Sequence, residues 1–350
     1  MTPERKQLIQ REIEDILLRY QTAGYFPSAS VRVFDKEETL AAASVGDARE
    51  DFLFDVASLT KIATATQILL LIGQGKLQLD SALSALLPEI EAHDFLRQRI
   101  NGITIRQLLT HTSTLPAWYP FYARQGEEFF DVLAYALAHT EPSRGVTYSD
   151  LNFMLLGKVI EKICKKPLEQ CLQEELVQPL GLGDMAYRPE KAKSIIPSCY
   201  DNAIEEKMCA ERGIAFSGFR PHGAPVAGEA NDGNCFYYFG GVSGHAGIFA
   251  APAAYEKLCR FYMNTEVPLL LTAQREQPNS PGRGLGFQTG VSYPHGCGHT
   301  GFTGTGIYFS RDCNIGVVSF TNRLFYPYEN PQQTWEFRRA LQEAAFALRE

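Results

Sequence analysis

Asp55-Val56-Ala57-Ser58-Leu59-Thr60-Lys61 runs out of a β-like segment and into a periodic apolar stretch, Ser58 to Ile72, that reads as a helix ending near Gly73 and Gly75. At helical spacing Lys61 lies on the same face as Ser58, three residues on, so the two side chains touch. A serine hydroxyl is a poor nucleophile at neutral pH and needs an adjacent base, which a lysine becomes if burial and neighbouring charge lower its pKa. The helix N-terminus adds a positive dipole end where oxyanion charge would develop. A serine with a lysine three residues on arises by chance about once in a chain of this size, and a capping serine beside a surface lysine is the plain alternative. No other serine in this chain has a lysine at that spacing.

Two further stretches join it. Tyr148-Ser149-Asp150 precedes a helix whose apolar stripe is Phe153, Leu156, Val159, Ile160 and Ile163. Tyr148 is placed to relay the Ser58 proton, and Asp150 to hold Lys61 charged or to accept a substrate N–H. A core tyrosine and a dipole-favoured acid at a helix start would look the same. Gly298-His299-Thr300-Gly301-Phe302-Thr303-Gly304-Thr305-Gly306 begins a predicted strand, where glycines let a ligand approach the backbone and a backbone N–H can serve as an oxyanion donor. Its plain alternative is a bulged edge strand. His295, Cys297 and His299 alternate, which on a strand puts all three on one face as possible metal ligands. No compact fourth ligand accompanies them, so no metal is assigned.

Residues 4–22 carry Leu8, Ile9, Ile13, Ile16, Leu17 and Tyr20 on one stripe of an amphipathic helix. β-like stretches follow at Ala29 to Asp35 and Thr39 to Val45. Near the other end Gly304 to Ser310 and Ile315 to Thr321 read as strands joined at Arg311-Asp312, and Asn330-Pro331 opens a closing helix. Between them the pattern is mostly helical, with segments at Ile105 to Leu109, Phe129 to Ala138, Ser149 to Cys164 and Pro167 to Leu176. The two ends are therefore expected to build one discontinuous sheet-and-helix domain, 1–57 plus 236–350. It carries a mostly helical domain, 58–235, with the active site in the cleft between them.

The 350 residues are 45% hydrophobic and 21% charged, with a formal net charge of -7. That is the profile of a compact globule, and it supplies no cationic footprint for nucleic acid. No stretch approaches the roughly 20 apolar residues of a membrane span. The N-terminus has no apolar leader region, and the 8 cysteines are scattered without a C-x-x-C pair. A cytoplasmic location is expected on that basis, or a periplasmic one if a leader has been removed.

Taken together and in this order, the three motifs resemble the S-x-x-K, Y-x-N and K-T-G set of serine β-lactamases and penicillin-binding proteins. Ile103-Thr104-Ile105-Arg106-Gln107-Leu108-Leu109-Thr110-His111-Thr112-Ser113, Pro179-Leu180-Gly181-Leu182 and Gly240-Gly241-Val242-Ser243-Gly244-His245-Ala246-Gly247-Ile248-Phe249 are similar to the class C β-lactamase and related esterase group. The likeness runs from about Ala29 to Arg323. It implies an α+β, β-lactamase/transpeptidase-like fold, in which an antiparallel sheet flanked by N- and C-terminal helices accompanies a mostly helical inserted domain. It also implies a serine hydrolase without metal or cofactor, acting through an acyl-enzyme on an ester, an amide or a β-lactam. Ser58 would attack, Lys61 and Tyr148 would handle the proton, and Asp150, His299, Thr300, Gly301 and Phe302 would bind substrate. The oxyanion would rest between the Ser58 and Phe302 N–H groups. A non-catalytic relative that binds cell-wall fragments is the alternative, and a metal-dependent hydrolase is a third class.

Three positions depart from the family pattern. Asp150 stands for asparagine, His299 for the lysine of K-T-G, and Thr114 for a glycine. The first two weaken attraction for an anionic substrate, so neutral esters or short D-amino-acid peptides and amides are expected to be handled better than β-lactams. His111 and His245 are expected to stabilise core or turns. The loop Trp118-Tyr119-Pro120-Phe121-Tyr122 fits either a cleft wall or core packing.

Overall fold

The computed structural model describes residues 2–190, 194–325 and 331–347, with the side chains of 331–334 outside that description. A five-stranded antiparallel sheet has the order β2-β1-β8-β7-β6. Its strands are β1 (Ala29–Phe34), β2 (Thr39–Val45), β6 (Cys297–Thr300), β7 (Gly306–Ser310) and β8 (Ile315–Thr321). β1 pairs with β2 on one edge and with β8 on the other, Ala29 facing both Val45 and Thr321. The two ends of the chain thus meet in one sheet, as the pattern of elements predicted.

One face of this sheet is covered by the first and last helices. In the helix Pro3–Thr22, capped by the Thr2 side chain, Ile9, Ile13, Ile16 and Leu17 face inward. They share a core with Val31, Val33 and Val317 from the sheet and with Phe337, Leu341 and Ala345 from the helix Pro331–Ala347. Asn330, expected as that helix's N-cap, lies outside the described residues. The other face joins a larger core in which Phe34, Ile307, Phe309, Val318 and Phe320 meet helices Thr60–Gly73, Asp150–Cys164 and Pro252–Asn264. A second sheet of three short strands, β3 (Phe54–Asp55), β5 (Ile248–Ala250) and β4 (Met185–Tyr187), carries the chain from the large sheet into the helical part.

Two local expectations are corrected. Ser58 sits in a short 3-10 turn, Ala57–Leu59, and the α-helix proper starts at Thr60. The turn is forced by Ala57, whose φ of 47° is left-handed and cannot continue either the strand or the helix. The glycine-rich stretch does not simply begin a strand. It ends β6, turns through 301–305 and only then enters β7, because the Gly301 N–H bonds back to Thr305 O at 2.7 Å. No helix among the described residues is long and apolar enough to cross a membrane.

Candidate active site

Asp55 builds the nucleophile turn. Its carboxylate accepts from the Ala57 N–H (2.8 Å) and the Asn231 N–H (2.7 Å), and burial pushes its pKa up to about 6 against those two bonds. The 301–305 turn is fastened to the same strand end, with Thr303 Oγ1 donating to Asp55 O at 2.7 Å and Thr305 Oγ1 to Val56 O at 2.9 Å. Only glycine fits at 301, since a Cβ there would stand 2.1 Å from Thr305 Oγ1 and 2.5 Å from Val56 O. These bonds hold Phe302 beside Ser58 in one cleft of about 430 Å³ that Tyr148, Asp150, Thr300 and Gly301 also line. Among the described residues neither the Ser58 nor the Phe302 N–H donates to another protein atom.

Lys61 lies behind Ser58, fully buried, with all three of its N–H donors spent. Nζ is 2.9 Å from Ser58 Oγ, 2.9 Å from His245 O and 2.8 Å from Asp150 Oδ1. The His245 carbonyl reaches it because the chain passes tightly over helix Asp150–Cys164. A Cβ on Gly244 would lie 2.2 Å from Phe153 O. Burial alone would push the Lys61 pKa down. The Asp150 and Tyr148 charges outweigh it and hold the ammonium above the ordinary lysine value. Of the two roles open to Asp150, the structure shows the ion pair with Lys61. The Tyr148 ring centroid is 5.0 Å from Lys61 Nζ, and burial raises its phenol against the opposing pull of Lys61.

His299 is placed differently from the expectation. It does not line the cleft but is buried in β6, with Nδ1 2.9 Å from Thr300 O and Nε2 without a partner. Burial, then the charges of Lys61 and Arg283, lower its pKa to about 3, so it is a neutral imidazole. The reason is the strand period: Cys297 and His299 face the core while Thr300 faces the cleft. His295 lies outside that strand, and no group of three His, Cys, Asp or Glu gathers as a metal site among the described residues.

His111 is a turn-stabiliser, as expected. Its Nδ1 accepts from the Ser149 N–H (3.0 Å) and faces Asn152 Nδ2 (3.1 Å), while burial drives its pKa down. It thereby fixes the start of the helix that carries Asp150. His245 bridges Ser243 Oγ at 2.7 Å and Asp232 Oδ1 at 2.9 Å. The aromatic loop divides: Trp118 lines the cleft, while Phe121 and Tyr122 are buried in the core. Sequence reasoning missed Glu205, Asp232, Arg323, Trp335 and Arg338, all on the cleft wall. Only Arg338 left a signal, a charge three residues before Leu341 on an inward helical stripe.

A family model described as Beta-lactamase matches residues 13–341. The chain belongs to the Beta-lactamase family. Within it, the chain is 29% identical over 319 residues to an N-acetylmuramyl-L-alanine amidase of Bacillus subtilis (strain 168), spanning 80% of this chain and 70% of the relative. It is 26% identical over 316 residues to a putative D-alanyl-D-alanine carboxypeptidase of Escherichia coli (strain K12), spanning 80% and 71%. Among solved structures, the D-amino acid amidase of Ochrobactrum anthropi SV3 shares the fold at a TM-score of 0.72 and 17% identity, covering 96% of this chain and 98% of that one. As a Beta-lactamase family member the chain is a serine hydrolase with the family's α+β fold.

Proposed function

We propose that Ser58 is the nucleophile of an acyl-enzyme reaction on an ester or amide, with Lys61, Tyr148 and Asp150 as its proton machinery. The observation that carries this is Lys61 Nζ bonded at once to Ser58 Oγ and to Asp150 Oδ1 at the wall of an open cleft. A lysine with three donors spent is no base. The competent form arises when one Lys61 proton moves along the 2.8 Å contact to Asp150, leaving a neutral amine beside Ser58. Ser58 Oγ then bonds the carbonyl carbon as its proton passes to Lys61, directly or through Tyr148. The oxyanion accepts from the Ser58 and Phe302 N–H groups. The C–O or C–N bond breaks as the leaving group takes that proton, and water retraces the route to release the acid.

The relatives named amidase and carboxypeptidase favour C–N bonds among the possible substrates, which span β-lactams, D-amino-acid peptides and small esters. The cleft is read as the seam between 58–235, which supplies Ser58, Tyr148 and Asp150, and 1–57 with 236–350, which supplies Thr300 to Phe302. Eight free cysteines, six of them buried, support a reducing compartment and hence the cytoplasm. Binding of cell-wall fragments without turnover is the second reading, favoured by the charged state of Lys61.

Intact mass after exposure to a fluorophosphonate probe separates the two. An adduct on the native protein that is absent from Ser58→Ala is expected, and Ser58→Ala should cost at least about a thousandfold in turnover. An unlabelled native protein would favour the binding reading.

A further inference from the structure

Arg283 sits in the chain reversal 277–288 that follows the helix Pro268–Ala273. The reversal is pinned by main-chain bonds: the Gln277 N–H donates to Arg283 O at 2.8 Å, the Leu285 N–H to Ala273 O at 3.0 Å and the Gly286 N–H to Leu109 O at 3.0 Å. A Cβ on Gly286 would stand 2.4 Å from the Ala65 Cβ, so the reversal lies directly on the helix that carries Lys61. This placement brings the Arg283 guanidinium over the Tyr148 ring, 5.4 Å from its centroid.

Nothing neutralises that guanidinium. Among the described residues no carboxylate is within ion-pair distance of it, and Nη1 is buried without a hydrogen-bond partner. Burial lowers its pKa, but an arginine keeps its proton. A buried cation left without a counter-charge is costly. The other cation at the ring is Lys61, 5.0 Å from the centroid, and the carboxylate beside it, Asp150, is spent on that lysine. The imidazoles packed on Tyr148, His111 at 4.7 Å and His299 at 5.9 Å between centroids, are neutral. His111 accepts at Nδ1 from the Ser149 N–H, so its own proton is on Nε2, which is also buried without a partner. Of the two phenols whose charge Arg283 feels, Tyr293 gives its hydroxyl to Gln288 Oε1 at 3.1 Å and does not line the cleft. Tyr148 lines it beside Ser58.

We infer that Arg283 is a positioning residue that acts through Tyr148, as the second cation that stabilises the negative charge the phenol carries while it relays the Ser58 proton. This rests on the hydrolase reading above and selects, of the direct path and the path through Tyr148, the second. The phenol gives its own proton to the neutral Lys61 amine as it takes the proton of Ser58, and negative charge rests on its oxygen in between. Two cations and a buried, unpartnered imidazole N–H surround that charge, and with Asp150 committed to Lys61 the phenolate is the counter-charge that Arg283 lacks at rest.

The first readout needs no turnover. A fluorinated tyrosine at position 148, whose electron-poor ring ionises at lower pH than tyrosine, reports its own charge by fluorine NMR. Its ionisation midpoint should rise by at least about one pH unit in Arg283→Gln, and Arg283→Lys should recover part of the difference. Ser58, Lys61, Asp150, His111 and His299, the other groups that face the phenol, are unaltered in these proteins. An unchanged or lowered midpoint would overturn the inference. The second readout is the rate of fluorophosphonate labelling. Arg283→Gln should slow it at least about tenfold where Tyr148 is present and have no effect in the Tyr148→Phe background, whereas equal slowing in both would show that Arg283 does not act through the phenol. A native protein that is not labelled would sink the hydrolase reading, and the midpoint would still decide whether Arg283 governs the charge of Tyr148.

Discussion

At Asp150 one carboxylate is the largest of the influences that keep Lys61 charged. With Tyr148 it lifts Lys61 above the ordinary lysine value against a burial effect that works the other way. In Asp150→Asn the larger lifting charge is gone and burial remains, so the Lys61 pKa falls. A larger fraction of the amine is then free at a given pH. The acid limb of the kcat/KM–pH profile, followed on any substrate that native protein turns over, should therefore move to lower pH. An unmoved limb would mean that Asp150 does not govern the base. The same residue was legible in the sequence as an acid beside the motif lysine. Which of its two roles it takes was not, because that depends on a 2.8 Å contact between two helices.

At the scale of elements, the site depends on turns held in costly conformations. Thr114 keeps a φ of 66° with its side chain exposed, the left-handed geometry that a glycine at that position would adopt freely. The turn therefore keeps the left-handed conformation, with a β-branched residue straining it. Thr114→Gly should raise stability by about 1 kcal/mol, the strain relieved exceeding the added freedom of the unfolded chain. Chemical denaturation measures this, and a loss of stability would show that the Thr114 side chain contributes more than its exposure suggests. Ala57, at a φ of 47° immediately before Ser58, holds similar strain where the nucleophile must stand clear of both strand and helix.

Over the whole molecule, buried carboxylates give stability an unusual pH dependence. Glu205 accepts from the Gly233 N–H at 2.6 Å, but burial, reinforced by the charge of Asp232, raises its pKa to about 8. The fold thus favours its protonated form. The stability this contributes is complete below the unfolded value of about 4.5 and is lost as pH rises through about 8. Above about pH 7.5, His111 and His299 are largely neutral in both folded and unfolded chains, so they no longer oppose the effect. The thermal midpoint of native protein should fall between about pH 7.5 and 8.5, and Glu205→Gln should flatten that fall. A native midpoint that does not change across that range would show Glu205 to be ionised already.

The amino-acid sequence by itself determined the family-like fold and the pairing of Ser58 with Lys61, because helical periodicity, strand alternation and a three-residue spacing are local properties of the chain. It also determined that the two ends share a sheet, since strands flank a long helical middle. Tertiary structure alone decided the rest. His299 was expected among the substrate-binding residues and became a buried neutral ring, because which face of β6 meets the core is fixed only when β7 pairs beside it. Arg323 and Arg338 came to the cleft from segments more than 250 residues away from Ser58, through contacts that no local spacing encodes. Which charged residues line a cleft depends on such distant contributors, and for that reason its lining was settled by the fold and not by the motifs.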